Sequence, residues 1–174
     1  FSNKYRNITT QDDYNQLIRY AEVSLNMAEA YLRLGAPNTT AALPLLNEVR
    51  NRALADVSLH YTAANFATAK DMLRAVLQER RIEFLGEGRR WADIHRLALD
   101  PDFSTGGIPA KVRYNNTVFA SWGYGVGYDA NGVYSGTTLT VPAVPYDDRR
   151  FIWPIPQTEL NTNEVLKAQQ NPGY

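Results

Sequence analysis

The stretch of sequence that decides the fold runs from residue 17 to residue 53 and reads LIRYAEVSLNMAEAYLRLGAPNTTAALPLLNEVRNRA. Its apolar residues recur at steps of three and four on either side of a break at Gly35 and Pro37, a spacing that places them on one face of a helix. The first set is Leu17, Ala21, Leu25, Ala28 and Leu32, and the second is Ala42, Leu45, Leu46, Val49 and Ala53. The spacing predicts helices near 14–34 and 40–54, and the short connection predicts that they form an antiparallel hairpin.

Capping signals predict where the helices begin. Thr10-Gln11-Asp12-Asp13 fits a capping box before the first helix, and Thr68-Ala69-Lys70-Asp71 fits one before a third helix near 68–86. The apolar residues that this third helix should turn inward are Leu73, Val76, Leu77 and Phe84. A fourth helix is predicted near 89–99, and the residues expected on one side of it are Trp91, Ile94 and Ala98.

The second part of the chain, residues 101–174, follows a different pattern, since it holds eight of the 11 glycines and seven of the nine prolines. Gly and Pro interrupt regular structure, so this part should be loop-rich. Short strands are expected around Val112–Phe119 and Thr137–Val144, and Asn163 should cap a last helical turn. We therefore predict a mainly α fold over one domain, residues 1–174, in which tetratricopeptide-like helical hairpins (1–100) pack with a long loop-rich C-terminal region containing short strands.

The composition excludes several classes of protein. The 18 basic and 18 acidic side chains cancel, so no global charge attracts nucleic acid or anionic lipid. The absence of cysteine excludes a disulfide scaffold, a thiolate metal site and a cysteine nucleophile. No apolar run approaches the roughly 20 residues that span a bilayer. Phe1–Tyr5 lacks the basic start and apolar core of a signal peptide, so we expect a processed or cut piece without its export signal or lipid anchor.

The densest polar cluster reads ERRIEFLGEGRRW from Glu79 onward. Glu79, Glu83 and Glu87 would share a helix face, which makes a paired-carboxylate glycoside hydrolase one interpretation. However, three acids on one helix cannot flank a sugar ring from opposite sides. The interleaved arginines should also lower the carboxyl pKa values, whereas a general acid needs a raised pKa. We interpret the cluster as a structural ion-pair network in which the inward Arg80 pairs with Glu83 or Glu48.

The remaining polar residues predict little chemistry. His60 and His95 are the only histidines, and His95 is expected to be packed and hydrogen-bonded rather than a ligand. Zinc or iron is not predicted, because the chain has neither a histidine cluster nor cysteine. Asp129, Asp147 and Asp148 offer oxygen ligands for calcium, but EF-hand spacing is absent. We predict no catalytic residue, no metal and no cofactor.

Aromatic side chains are the candidate ligand-binding groups of the loop-rich part. They are Tyr114, Phe119, Trp122, Tyr124, Tyr128, Tyr134, Tyr146 and Trp153. Proteins commonly hold sugars by stacking on exposed rings, although rings in a region without helices can also build a small core. We predict ligand contacts at Trp122, Tyr124 and Tyr128, because alternating glycines leave these rings without close neighbours. The alternative is that the glycines only make turns and the rings pack on Trp153 or Phe151.

Five ordered motifs resemble the C-terminal part of the SusD/RagB family, and the resemblance runs from about Tyr14 to Tyr174. LNEVRNRA resembles the family's LNxVRxRA helix, and ERRIEF through EGRRWADI resembles its ERRxEFxxEGxRxxDL stretch. IRYAEV with AEAY resembles the opening helix, and PIPQTEL and QNPGY resemble the C-terminal signature. The motifs lie at residues 18–31, 46–53, 79–94, 154–160 and 170–174.

The resemblance implies a non-catalytic, lipid-anchored protein at the bacterial cell surface. Family members bind a nutrient, above all an oligosaccharide, at the outer membrane and deliver it to a SusC-like TonB-dependent transporter. They are usually much longer than this chain, so the anchor would lie outside it. Two alternatives stay open. A tetratricopeptide-type adaptor for protein–protein interaction should show several tandem repeats, and a glycoside hydrolase should place two carboxyls across an open cleft.

Overall fold

The computed structural model describes residues 9–10, 13, 16–110 and 141–174. The chain divides into two compact units, Phe1–Arg90 (unit 1) and Trp91–Tyr174 (unit 2). The described residues are mainly helical and include one small two-stranded sheet, which confirms the predicted fold class. That residues 1–174 form a single domain stays a prediction.

Three helices build unit 1: α1 (Tyr20–Leu32), α2 (Thr39–Arg50) and α3 (Ala69–Glu83). The first two run antiparallel. Near their connection the Asn38 N–H donates to the Tyr31 carbonyl at 3.0 Å, and farther along the pair Ser24 Oγ donates to Glu48 Oε2 at 3.1 Å. The hairpin prediction is therefore confirmed.

Apolar side chains of all three helices form the core of unit 1. Its buried members are Ala21, Leu25, Ala28 and Leu32 of α1, Ala42, Leu46 and Val49 of α2, Met72, Leu73, Ala75 and Val76 of α3, and Phe84. Complete burial of a side chain such as Leu25 or Leu46 contributes about 2–3 kcal/mol. The three-and-four spacing thus identified most of the core correctly.

The start of α1 was predicted wrongly. The helix begins at Tyr20 rather than near residue 14, so Thr10–Asp13 does not cap it, and Leu17 is 84% exposed rather than inward. Arg19 is the N-cap residue and has an extended backbone, with φ −144° and ψ 158°. Its side chain bonds to the end of α3, an interaction that apolar spacing cannot reveal. Ala53 is also exposed, because a 3₁₀ turn follows α2 and rotates it outward.

Local signals place both ends of α3. Thr68 Oγ accepts from the Asp71 N–H, and the Asp71 carboxylate accepts from the Thr68 N–H at 3.0 Å, which confirms the predicted capping box. After Glu83 the chain turns through Gly86 and Gly88, whose φ values are +79° and +76°. Only glycine adopts this left-handed conformation at little cost, so the sequence ends the helix here.

Unit 2 is built around short elements. Helix α4 (Arg89–Arg96) begins in the last two residues of unit 1 and ends before the predicted residue 99, since 97–99 form a turn. The strands β1 (Gly107–Ile108) and β2 (Val144–Pro145) pair antiparallel, with Gly107 opposite Pro145. A 3₁₀ turn and two further helices follow, at Arg149–Phe151, Gln157–Thr162 (α5) and Glu164–Lys167 (α6).

Two predicted features of unit 2 have different outcomes. Asn163 caps α6, because its side chain accepts from the Val165 N–H, as predicted. Of the predicted strands, Val112–Phe119 lies outside the described residues, and Val144 at the end of the other begins β2.

We expect Gly107→Ala to destabilise the protein by more than about 2 kcal/mol. Gly107 has φ +133°, and a Cβ there would lie 2.1 Å from the carbonyl oxygen of Val144. Gly106→Ala is the matched control, because Gly106 has φ +71° but open space around it. It should cost only the conformational strain, about 1–2 kcal/mol. Urea unfolding followed by circular dichroism measures both variants, and equal losses would contradict the steric argument.

Candidate ligand-binding site

The residues predicted to contact ligand, Trp122, Tyr124 and Tyr128, lie outside the described residues, so their role stays a prediction. Both rings named as their possible packing partners, Phe151 and Trp153, are described. They lie beside an open pocket in unit 2, which the sequence did not predict.

We call this pocket the aromatic cleft. It has a volume of about 350 Å³, and its lining consists of Trp91, Ala92 and His95 from α4 and Phe151, Ile152 and Trp153 from the segment after β2. Trp91 was predicted to share the inward side of α4 with Ile94. Ile94 is buried, whereas Trp91 is 41% exposed and faces the cleft.

Four rings of the cleft form a continuous series. The ring centroids of Phe151 and His95 are 4.1 Å apart, those of His95 and Trp91 are 4.5 Å apart, and those of Trp91 and Trp153 are 6.1 Å apart. The last two separations lie within the usual range for aromatic pairs, and the first is slightly shorter. The series begins at the buried Phe151 and ends at Trp153, which is 74% exposed. The series thus connects the buried phenyl ring of Phe151 to the largely exposed indole of Trp153.

His95 is packed between two of these rings, as predicted. Its Nε2 atom is buried and finds no hydrogen-bond partner among the described residues, so the expected hydrogen bond is missing at this nitrogen. Leaving a buried polar atom unpaired costs about 1–3 kcal/mol. The imidazole therefore acts here mainly as a flat packing surface.

The Glu/Arg cluster of unit 1 is the second candidate site, because its carboxyls suggested a glycoside hydrolase. The guanidinium of Arg19 forms ion pairs with Glu83 and Glu87, and its Nε and Nη2 atoms donate to the two Glu87 oxygens at 2.9 and 3.0 Å. Arg52 reaches Glu83 at 2.5 Å, and Arg50 lies 3.4 Å from Glu79. We call this set the α3-end network. It joins the start of α1, the end of α2 and the end of α3.

Two residues near the end of α3 complete this description. Arg80 donates to Asn26 Oδ1 at 2.5 Å and lies over the Phe84 ring, and Glu83 receives Arg19 and Arg52; that Arg80 also pairs with Glu83 or Glu48 stays a prediction. Glu87 lies beyond the end of α3, so it does not continue the helix face of Glu83. The glycine turn, rather than helical spacing, brings Glu87 to Arg19.

The pKa values of two carboxyls in the network move in opposite directions. Burial alone would raise the pKa of Glu83, but hydrogen bonds from Arg19 and Arg52 outweigh burial and lower it. At Glu79 burial outweighs the attraction of Arg50, so its pKa is raised. The expectation that the arginines lower every carboxyl pKa is therefore wrong for Glu79. Its side chain is only 7% exposed and faces Arg50, so it is not placed to contact a sugar.

Within the described residues, no group of three or more His, Asp or Glu side chains is placed to hold a metal ion.

In the same part of the chain, the helices are too short or too polar to cross a membrane.

Comparison with known proteins identifies related sequences. The sequence profile of the SusD family matches residues 1–174. SusD-like protein P2 of Formosa agariphila is 31% identical over 160 residues, which are 90% of this chain and 25% of that protein. SusD-like protein P38 of the same organism is 36% identical over 89 residues, which are 49% of this chain and 17% of that protein. The chain spans a quarter or less of these curated relatives. No solved structure gives a significant match.

We expect Arg19→Met to destabilise the protein by about 3–5 kcal/mol, because Glu83 and Glu87 would keep mostly buried charges without their shared partner. The control is Arg74→Met, which removes an i,i+3 pair with Asp71 whose side chains are 36% and 40% exposed. That loss should stay below about 1 kcal/mol. Urea melts at neutral pH measure both, and similar small losses would show that the network is not structural.

The opposite pKa shifts predict opposite pH dependences for two variants. Because the pKa of Glu83 is lowered, its contribution is present above the unfolded-state pKa and is lost as pH falls through the folded-state pKa. Glu83→Gln should therefore reduce the loss of stability between about pH 5 and pH 3. The raised pKa of Glu79 means that its charged form disfavours folding at neutral pH, and acidification relieves this. Glu79→Gln should remove that gain. The Glu79 change occurs above the unfolded-state pKa and the Glu83 change below it, so urea melts from neutral pH down to about pH 3 test both signs. Parallel changes in the two variants would refute the assignment.

Proposed function

Because the chain belongs to the SusD family, we propose that it is part of a nutrient-binding protein of the bacterial outer-membrane surface. The nutrient is an oligosaccharide in the first place, and it passes to a SusC-like TonB-dependent transporter. Binding occurs without catalysis. The observation that carries the proposal for this chain is the aromatic cleft.

The cleft has the form of a sugar-stacking site. Trp91 and Trp153 present two indoles whose centroids are 6.1 Å apart and whose planes are inclined by 55°. Sugar rings have apolar C–H faces that stack on such surfaces, and the cleft volume of about 350 Å³ is within the range of small-molecule sites. One or two sugar rings at the end of a chain would cover both indoles.

The lining favours a neutral ligand. His95 is the one ionisable side chain among the described lining residues, and two arginines next to lining residues in the sequence are paired with aspartates. Arg96 pairs with Asp93 at 2.8 Å, and Arg150 pairs with Asp148 at 2.7 Å. An acidic sugar would lose water around its carboxylate without gaining an ion pair here, so neutral oligosaccharides should bind better.

The hydrolase alternative lacks support from the described residues. A glycoside hydrolase places two carboxyls on either side of the scissile bond. The described lining of the cleft contains no carboxyl, and Glu79, Glu83 and Glu87 face arginines in the α3-end network of unit 1.

A second candidate function, that of a protein–protein adaptor, is favoured by one observation on α1. Tyr20, Val23 and Met27 recur at steps of three and four and are all exposed. These side chains form an apolar stripe on the side of α1 away from the core, and such stripes often contact another protein. The described part of unit 1 has one α-helical hairpin, α1–α2, followed by α3, rather than the several tandem repeats expected of an adaptor.

Titration calorimetry of the full chain with neutral and acidic oligosaccharides tests the proposal. We expect neutral chains to bind, and Trp153→Ala to weaken that binding about fivefold to tenfold through loss of one stacked ring. Tyr146→Ala is the control, because Tyr146 is also an exposed aromatic residue of unit 2 but does not line the cleft. It should bind like the unaltered protein.

The other outcomes separate the alternatives. Equal binding by folded Trp153→Ala would place the ligand away from the cleft. Release of new reducing ends during incubation would favour the hydrolase. If no oligosaccharide binds and Val23→Asp abolishes binding of a protein partner, the adaptor is the better account.

A further inference from the structure

We propose that Gln170, Asn171 and Tyr174 are positioning residues that set the place of Trp153 in the aromatic cleft. We call these three side chains the C-terminal clasp. The effect on ligand binding rests on the proposed function, whereas the effect on Trp153 itself does not.

The need for a clasp follows from two prolines. Pro154 and Pro156 have no N–H, so the segment after Trp153 cannot join a helix or a regular strand ladder, and Ile155 has the only N–H between them. Gln170 satisfies both backbone groups of Ile155. Its Oε1 accepts from the Ile155 N–H at 2.9 Å, and its Nε2 donates to the Ile155 carbonyl at 3.2 Å. One side-chain amide thus makes the two backbone hydrogen bonds that a neighbouring strand would otherwise make.

The next residue holds Trp153 directly. Asn171 Nδ2 donates to the carbonyl of Trp153 at 2.5 Å. The Asn171 N–H in turn donates to Gln170 Oε1 at 2.8 Å, which ties the two clasp amides together.

A tight turn then returns the chain to the start of the segment. The Tyr174 N–H donates to the Asn171 carbonyl at 3.3 Å, with Pro172 and Gly173 between them. Gly173 has φ +90°, and a Cβ there would lie 2.8 Å from Arg149 Cδ. Pro followed by a left-handed Gly is the pattern of a type II turn, and a Cβ at this position would also displace the Arg149 side chain.

The turn delivers the Tyr174 hydroxyl to two backbone carbonyls. The hydroxyl oxygen lies 3.0 Å from the Arg149 carbonyl and 3.2 Å from the Ile152 carbonyl, and its one hydrogen serves this pair. The Arg149 guanidinium lies 4.9 Å from the centre of the Tyr174 ring. The clasp therefore bonds to the backbone before, at and after the cleft residues Phe151 to Trp153.

The Trp153 side chain makes little packing contact, so the clasp's hydrogen bonds to the backbone determine its position. The indole is 74% exposed, and its described ring neighbour, Trp91, is 6.1 Å away by centroid. Burial therefore does little to fix the indole, and its direction depends on where the backbone places its Cβ. A side chain that is mainly packed, such as Phe151, depends on the clasp much less.

Fluorine NMR of the full chain labelled with 5-fluorotryptophan tests this placement, with the Trp153 resonance assigned by its loss in Trp153→Phe. Three variants each change one group of the clasp: Gln170→Glu, Asn171→Asp and Tyr174→Phe. The matched controls are Gln169→Glu and Tyr146→Phe, which make the same chemical changes at exposed neighbouring positions. We expect the Trp153 resonance to shift or broaden in the clasp variants and to stay in place in the controls.

The binding readout distinguishes positioning from general stability. Measured well below the unfolding temperature, the clasp variants should bind the neutral oligosaccharide about threefold to tenfold more weakly, the factor expected from a displaced stacking surface. The controls should bind normally. A Trp153 resonance that stays unchanged in every folded clasp variant would overturn the proposal. A displaced Trp153 with unchanged affinity would support the placement and overturn its effect on ligand binding. If Trp153 moves but the unaltered protein binds no oligosaccharide, the clasp stands and the proposed function fails.

Discussion

The ion pairs of Arg19 with Glu83 and Glu87 are the constraint on which unit 1 depends. Apolar contacts among α1, α2 and α3 are non-directional, so on their own they define the helix register only loosely. A planar guanidinium that meets two carboxylates permits far fewer registers, since its donors have fixed directions. It therefore fixes the register between the start of α1 and the end of α3.

Unit 2 fixes the positions of its own segments relative to one another without a large apolar core. Its helices α5 and α6 are short, and the prolines around Ile155 prevent regular pairing. Side-chain amides and one hydroxyl supply the missing backbone partners, and the rings of the aromatic cleft pack on the segment so held. In unit 1 charges position helices, whereas in unit 2 neutral polar groups position a strip of aromatic residues.

The sequence predicted most of the fold, because apolar spacing and capping boxes report local geometry. The hairpin, the core side of α3 and the Asn163 cap all follow from neighbours within about four residues. The errors at Leu17 and Glu87 share a different cause, since their positions depend on partners or turns that spacing does not encode. The aromatic cleft was missed for the same reason. Trp91 and Trp153 are 62 positions apart in the sequence, and nothing in either local pattern indicates that their rings meet.

The order of residues in the C-terminal turn affects how readily the protein degrades chemically. Asparagine usually deamidates when the N–H of the next residue attacks its side-chain carbonyl and closes a five-membered imide. Asn171 is followed by Pro172, whose ring nitrogen carries no hydrogen, so this route is closed. The amide that holds the Trp153 carbonyl is thus protected from the commonest spontaneous loss of its donor, and the turn that shapes the clasp also preserves it chemically.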